Sequence, residues 1–151
     1  MSGGAAAEFR IRQGRPAELD AALGVDEVGD DPARRSELAE ALADGSCWLA
    51  ERDGRTVGLA IFDHRFFGRG FIWLVTVSPE ERRTGIASAL IRHVESICRS
   101  DRLFSSTNES NLPSRALFER LGFVRSGLIE NLDEADPELV YVKRLESRGT
   151  P

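Results

Sequence analysis

Apolar residues recur along the chain at two spacings, and the changes from one to the other mark out most of the fold. Phe9-Arg10-Ile11-Arg12 alternates apolar with charged positions, the two-residue period of a half-buried strand. Gly14 and Pro16 then open a short helical pattern through Leu19, Ala22 and Leu23. A second helix is better bounded: Asp31 is placed to cap it, Pro32 suits its first turn, Leu38, Ala41 and Leu42 share a face, and Gly45 can end it. CWLAER (47–52) and RTVGLAIF (55–62) flank Asp53-Gly54, a dipeptide that tolerates positive φ, and so predict an antiparallel hairpin. After a turn around Gly68 and Gly70, FIWLVTVSP (71–79) is almost continuously apolar, which predicts a central strand buried on both faces.

Helical spacing returns from Thr84 onward. Ala87, Leu90, Ile91, Val94 and Ile97 form one face, with Arg92, Glu95 and Arg99 turned outward. LFSST (103–107) reads as a strand, and Pro113 to Leu121 as a helix closed by Gly122. FVRSGLIE (123–130) and LVYVKRL (139–145) are two more strands, separated by the acidic turn NLDEADPE. Hairpins alternating with strand–helix–strand crossovers predict an α/β fold of the mixed α+β kind, with a central, mostly antiparallel sheet of about seven strands flanked by about four helices. A chain of 151 residues with no internal repeat or linker is expected to form one domain over 9–146, with flexible tails at 1–8 and 147–151.

Charge and cysteine usage narrow the chemistry. A net charge of -5 argues against a broad basic surface for nucleic acid, so any anion site must be local. Cys47 and Cys98 lie in apolar stretches without CxxC or His-rich spacing, the pattern of buried reduced thiols and not of a disulfide framework or a metal site. No apolar segment reaches the roughly 20 residues of a membrane span. The start, MSGGAAAEF, lacks the parts of a signal peptide, so a cytoplasmic protein without a membrane partner is expected.

One stretch carries candidate chemistry. ERRTGIASA (81–89) directly follows the central strand and begins a helix. A helix N-terminus presents free N–H groups and a partial positive charge, which together suit a phosphate. Gly85 permits close approach of the backbone, small Ala87 keeps the helix start clear, and Arg82 and Arg83 add charge at the rim. The ordinary alternative is a glycine that only makes a turn beside two solvated arginines.

The stretch Arg82-Arg83-Thr84-Gly85-Ile86-Ala87 resembles the Arg/Gln-x-x-Gly-x-Gly/Ala signature of the GNAT superfamily of N-acetyltransferases, and NLPSRALFERLGFV (111–124) resembles that family's later N-x-x-A-x-x-L-Y-E-K-L-G-F pattern. The resemblance spans Phe9 to Leu145. It implies an acetyl-CoA-dependent acyltransferase without a metal, whose fourth strand, here Ile72 to Val77, splays from the fifth to admit the pantetheine arm. Backbone groups around Val75 and Val77 would bond the pantetheine amides. The N–H groups of Arg83, Thr84, Gly85, Ile86 and Ala87 would take the pyrophosphate, with Arg82 at its rim, and Asn111 would contact the coenzyme. Asn111 is also an ordinary N-cap, and both roles can coexist.

In this family a neutral amine attacks the thioester directly in a ternary complex. Keeping a lysine-type amine neutral at pH 7 costs about 4.6 kcal/mol, an α-amine only about 1. Backbone N–H groups near Val75 would polarise the carbonyl as an oxyanion hole. Phe118 stands where the family often has a tyrosine to protonate the departing sulfur, so that acid is missing here. Candidate bases are Glu130, at the end of the sixth strand, and Asp63 or His64, ahead of the Gly68 turn. His93, in mid-helix, and Tyr141, read as a half-buried strand aromatic, are weaker candidates.

The expected function is transfer of an acetyl group to a primary amine, with a small cationic molecule as acceptor. A protein N-terminus or lysine, or a coenzyme-binding module without chemistry, stay open. A Rossmann-type nucleotide fold is disfavoured by the absence of GxGxxG and by the position of the glycine loop in mid-chain. A homodimer paired along the C-terminal hairpin is a further open route.

Overall fold

The computed structural model describes residues 8–26 and 30–146. The expected tails at 1–8 and 147–151 therefore fall, apart from Glu8, outside the described residues. The strands are β1 (Arg10–Gln13), β2 (Cys47–Arg52), β3 (Arg55–Phe66), β4 (Arg69–Val77), β5 (Arg102–Asn108), β6 (Val124–Ile129) and β7 (Glu138–Arg144). The α-helices are α1 (Leu19–Val25), α2 (Pro32–Asp44), α3 (Ile86–Ile97) and α4 (Leu112–Arg120), with 3-10 turns at Pro16–Glu18 and Pro79–Glu81. The sheet has the order β1-β2-β3-β4-β5-β7-β6. The pairs β1–β2, β2–β3, β5–β7 and β6–β7 are antiparallel, and β4–β5 is parallel. This is the mixed α/β architecture the sequence pattern predicts.

The chain gathers into two compact units, one comprising residues up to Phe62 with Leu74–Val94, the other Asp63–Trp73 with Glu95 onward. In the first unit, β2 and β3 alternate their side chains between two buried clusters. Leu49, Leu59 and Ile61 pack with Ala22, Val25, Leu38 and Leu42 of α1 and α2. Ala50 and Ala60 pack with Val77 and with Ile86 and Leu90 of α3. Asp53 and Gly54 take φ of 54° and 76°, the left-handed pair expected of the hairpin turn. Gly45 ends α2 with φ 82° as predicted, whereas Asp31 stands at the N-cap without a side-chain bond to the helix.

In the second unit the start of β4 pairs with β5 at Gly70–Leu103, Phe71–Phe104 and Ile72–Ser105. The buried Ser105 hydroxyl donates to Ile72 O at 2.8 Å. α4 lays Phe118 beside Phe123 and Tyr141, with ring centroids 5.2 and 5.6 Å away. Every residue of β6 is exposed.

Three expectations need correction. β4 is central in the strand order but not buried along its length: Trp73 is 45% exposed and Leu74, Val75 and Thr76 are only half-buried. α3 starts at Ile86 instead of Thr84, because Arg83 and Gly85 adopt φ of 68° and 88°, outside the right-handed helical region. Tyr141 is fully buried, and its hydroxyl donates to Glu119 Oε2 at 3.1 Å.

Candidate functional site

The loop between β4 and α3 is anchored at its start. Ser78 N–H donates to Val57 O of β3 at 2.9 Å, and Glu81 is ion-paired with Arg52 at 3.3 Å and Arg55 at 3.7 Å. These two guanidiniums offset a carboxylate that would otherwise repel an anion at the helix start. Thr84 Oγ1 donates to Glu81 O at 2.5 Å, and Arg82 Nε to Val77 O at 3.4 Å. The loop thus folds back on the end of β4 before the helix begins.

Gly85 is the pivot. At φ 88° it is in the left-handed region that disfavours any side chain, yet a Cβ there would meet no atom of the described residues within 4 Å. Among the described residues nothing therefore demands glycine by crowding, and the space beside the backbone is open to them. The first helical bond runs from Ala89 N–H to Gly85 O at 3.0 Å, so the N–H groups just ahead of Ala89 lack intrahelical acceptors. Arg82, Arg83 and Thr84 are exposed, Ile86 is buried and Ala87 half-buried. Val75 is half-buried and Val77 buried at the end of β4. An anion approaching Gly85 meets donors and positive charge without displacing a side chain.

A residue not singled out from the sequence holds this geometry. Gly58, buried in β3, would place a Cβ 2.9 Å from Ile86 Cγ2, 3.3 Å from Thr76 O and 3.4 Å from Leu90 Cδ1. Its absent side chain lets the first turn of α3 sit against the sheet. The available signal was a lone glycine inside an apolar strand, which marks close backbone approach.

In the second unit, Asn111 caps α4, its Oδ1 accepting from Ser114 N–H at 3.2 Å. Phe118 is 4% exposed and enclosed by aromatic rings, where it packs and offers no proton. Asp63 Oδ1 accepts from Trp73 Nε1 at 2.8 Å and from Arg65 N–H at 3.0 Å. Both Asp63 and His64 lie within β3, ahead of the Gly68 turn. His64 Nε2 accepts from Arg99 N–H at 2.9 Å, beyond the end of α3, and burial, aided by the Arg99 charge, lowers its pKa. His93 is half-buried against Trp48, ring centroids 4.6 Å apart, with its pKa lowered by burial. Glu130 is exposed. In the acidic turn, Asp133 and Asp136 accept hydrogen bonds from Asn108 and Ser110, while Glu134 is exposed.

Both cysteines are buried and free, and burial pushes the Cys47 thiol up to about 12, so that it is not a nucleophile near neutrality. Among the described residues no group of three or more His, Cys, Asp or Glu side chains is assembled for a metal, and no helix is long and apolar enough to cross a membrane.

Comparison with known proteins gives this arrangement a context. The model of the acetyltransferase (GNAT) family matches residues 16–123. A GNAT-family acetyltransferase from Bacillus cereus is 33% identical and superposes with a TM-score of 0.85, covering 93% of this chain and 99% of its own. The ribosomal-protein-S18-alanine N-acetyltransferase of Escherichia coli shares the fold at 18% identity, with a TM-score of 0.79 over 95% of this chain and 97% of its own. The N-alpha-acetyltransferase MAK3 of Arabidopsis thaliana is 35% identical over 86 residues, which are 53% of this chain and 45% of that protein. The match thus spans less than half of that curated relative.

Proposed function

The chain belongs to the acetyltransferase (GNAT) family, and from that premise we propose that it transfers an acetyl group from acetyl-CoA to a primary amine by direct attack in a ternary complex. The observation that carries the reading is Gly85, left-handed, exposed and with open space at its Cβ, at the start of α3. A pyrophosphate fits there, since the N–H groups from Arg83 to Ala87 offer donors and Arg82 and Arg83 lie at the rim. Backbone groups at Val75 and Val77 would bond the pantetheine amides, at positions of β4 beyond its pairs with β5 at Gly70 to Ile72. Asn111 would reach the coenzyme from the start of α4 while retaining its cap. Bound acetyl-CoA supplies the activated thioester.

This chain's residues would have three tasks: to keep the amine neutral, to stabilise the oxyanion and to release a thiolate. Backbone N–H groups near Val75 would serve the oxyanion. Phe118 cannot protonate the leaving sulfur, but a thiol of pKa about 8.5 leaves tolerably as a thiolate near neutrality. For the base, Asp63 and His64 already accept hydrogen bonds within the protein, which leaves Glu130 as the exposed candidate.

A weakly equipped base favours an acceptor that needs little help. An α-amine of pKa about 7.8 loses only about 1 kcal/mol in presenting its neutral form at pH 7, against about 4.6 for a lysine-type amine. We therefore take an N-terminal α-amine as the first acceptor class. The similarity to an N-alpha-acetyltransferase points the same way. A small cationic amine is the second reading, supported by the exposed carboxylates Glu130 and Glu134.

Calorimetric titration with acetyl-CoA, followed by thiol release with a peptide bearing a free α-amine, its N-blocked lysine counterpart and a small polyamine, tests the proposal. Micromolar binding with release driven best by the free α-amine is expected. Binding without release from any amine would favour a non-catalytic module, and no binding would remove the coenzyme site.

A further inference from the structure

We propose that Asp136 is a positioning residue for the coenzyme, acting through the backbone segment that presents Asn111; this rests on the role given to Asn111 above. Asp136 lies in the turn between β6 and β7, and both of its carboxylate oxygens are used on one residue. Oδ1 accepts from Ser110 N–H at 3.1 Å and Oδ2 from Ser110 Oγ at 2.6 Å. Ser110 directly precedes Asn111. The neighbouring positions are fastened to the same turn: Asn108 Nδ2 donates to Asp133 Oδ2 at 2.8 Å and to Asp136 O at 3.3 Å, and Glu109 N–H to Pro137 O at 2.8 Å. Asn111 N–H then closes back on Asn108 O at 2.9 Å.

The segment is held by hydrogen bonds, to which Arg115 Nη1 adds one to Glu109 O at 2.8 Å. Glu109, Ser110, Asn111 and Leu112 are all exposed, so packing does not hold the segment. Its position rests on hydrogen bonds, and at Ser110, the residue directly before Asn111, the N–H and the hydroxyl both make charge-assisted bonds to the Asp136 carboxylate. Without that carboxylate, Ser110 turns to water and the start of α4 samples other placements. A ligand that contacts Asn111 must then order the segment itself, and the ordering is subtracted from its affinity. Asp136 makes no contact with the ligand in this scheme. It sets where Asn111 stands, and the β6–β7 turn and the start of α4 move as one piece.

Calorimetric titration with coenzyme A tests this on wild type, Asp136→Ala, Asp136→Asn, Asn111→Ala and the Asp136→Ala/Asn111→Ala double variant, each checked by thermal unfolding. Asp136→Ala is expected to weaken binding about tenfold at full stoichiometry, in line with loss of hydrogen bonds to a charged group. Asp136→Asn, which keeps one acceptor oxygen, should fall between. The double variant should bind no more weakly than Asn111→Ala alone, because the two residues act in series. An unchanged Kd in Asp136→Ala, a reduced stoichiometry at unchanged Kd, or a double variant weakened by the product of the two single effects would each overturn the inference. If Asp136→Ala does not fold, the same comparison is made with Asp136→Asn. Wild-type protein that binds no coenzyme A would instead overturn the functional reading itself.

Discussion

Ile86 Cγ2 lies 2.9 Å from where any side chain at position 58 would begin, so Gly58 of β3 and the first residue of α3 are fitted to each other. Ile86 is buried, and Thr76 O closes the same space at 3.3 Å, so neither neighbour can yield without moving the helix start or the strand. Gly58→Ala is therefore expected to destabilise the protein by about 1–3 kcal/mol through overpacking. By displacing the first turn of α3 it should also weaken acetyl-CoA binding. Denaturant unfolding and calorimetry on the same sample check both effects, and a variant that lost stability but bound normally would separate the packing from the site.

Gly85 gives the opposite case. A Cβ there meets no atom of the described residues within 4 Å, so Gly85→Val should cost only the strain of a side chain at positive φ, about 1–2 kcal/mol. Its added bulk occupies the space assigned to the pyrophosphate. Coenzyme binding should fall far more than stability does, and titration alongside thermal unfolding will show it. Binding equal to wild type would remove the pyrophosphate from this loop.

The contrast between these glycines shows what was legible in the chain. Gly85 stood in a motif of local spacing, and its conformation follows from neighbours in sequence. Gly58 depends on a helix almost 30 residues later, and only the packed structure reveals the contact. β4 misled for a related reason: a run of apolar residues states what a strand can bury, whereas Trp73 to Thr76 are left partly exposed by what surrounds them. Likewise, the acidic run 130–138 reads as a solvated charge cluster, but Asp133 and Asp136 bond a segment far from them in sequence.

Phe118 bears on catalysis by what surrounds it. It is 4% exposed between Phe123 and Tyr141, so a hydroxyl introduced by Phe118→Tyr enters an aromatic cluster. The expected result is a loss of about 1–3 kcal/mol, from burying a hydroxyl without a ready partner, and no gain in kcat. Steady-state kinetics of thiol release decide it. A clear rise in kcat would show that the position can supply the missing acid.

Arg12 ties β1 to the rest of its unit through two carboxylates, bonding Glu18 at both oxygens and Glu51 Oε2 at 2.8 Å. The hydrogen bond from Arg12 lowers Glu18 from 4.5 to about 2 and lowers Glu51 as well. Both carboxylates are largely shielded, at 17% exposure. A depressed folded-state pKa means that the unfolded chain binds more protons between those values. The stabilisation is therefore complete above about 4.5 and is lost as the pH falls toward about 2. We expect the network to contribute on the order of 2 kcal/mol at neutral pH, equivalent to a Tm difference of roughly 4–8 °C for a chain of this size. Arg12→Ala should lower Tm at pH 7 by that amount and reduce its decline between pH 4.5 and 2, since both carboxylates lose their largest depressing contact and keep only the smaller ones from Arg15 to Glu18 and from Arg10 to Glu51. Thermal unfolding of both proteins across that range is the check, and parallel curves would assign the acid sensitivity to carboxylates elsewhere.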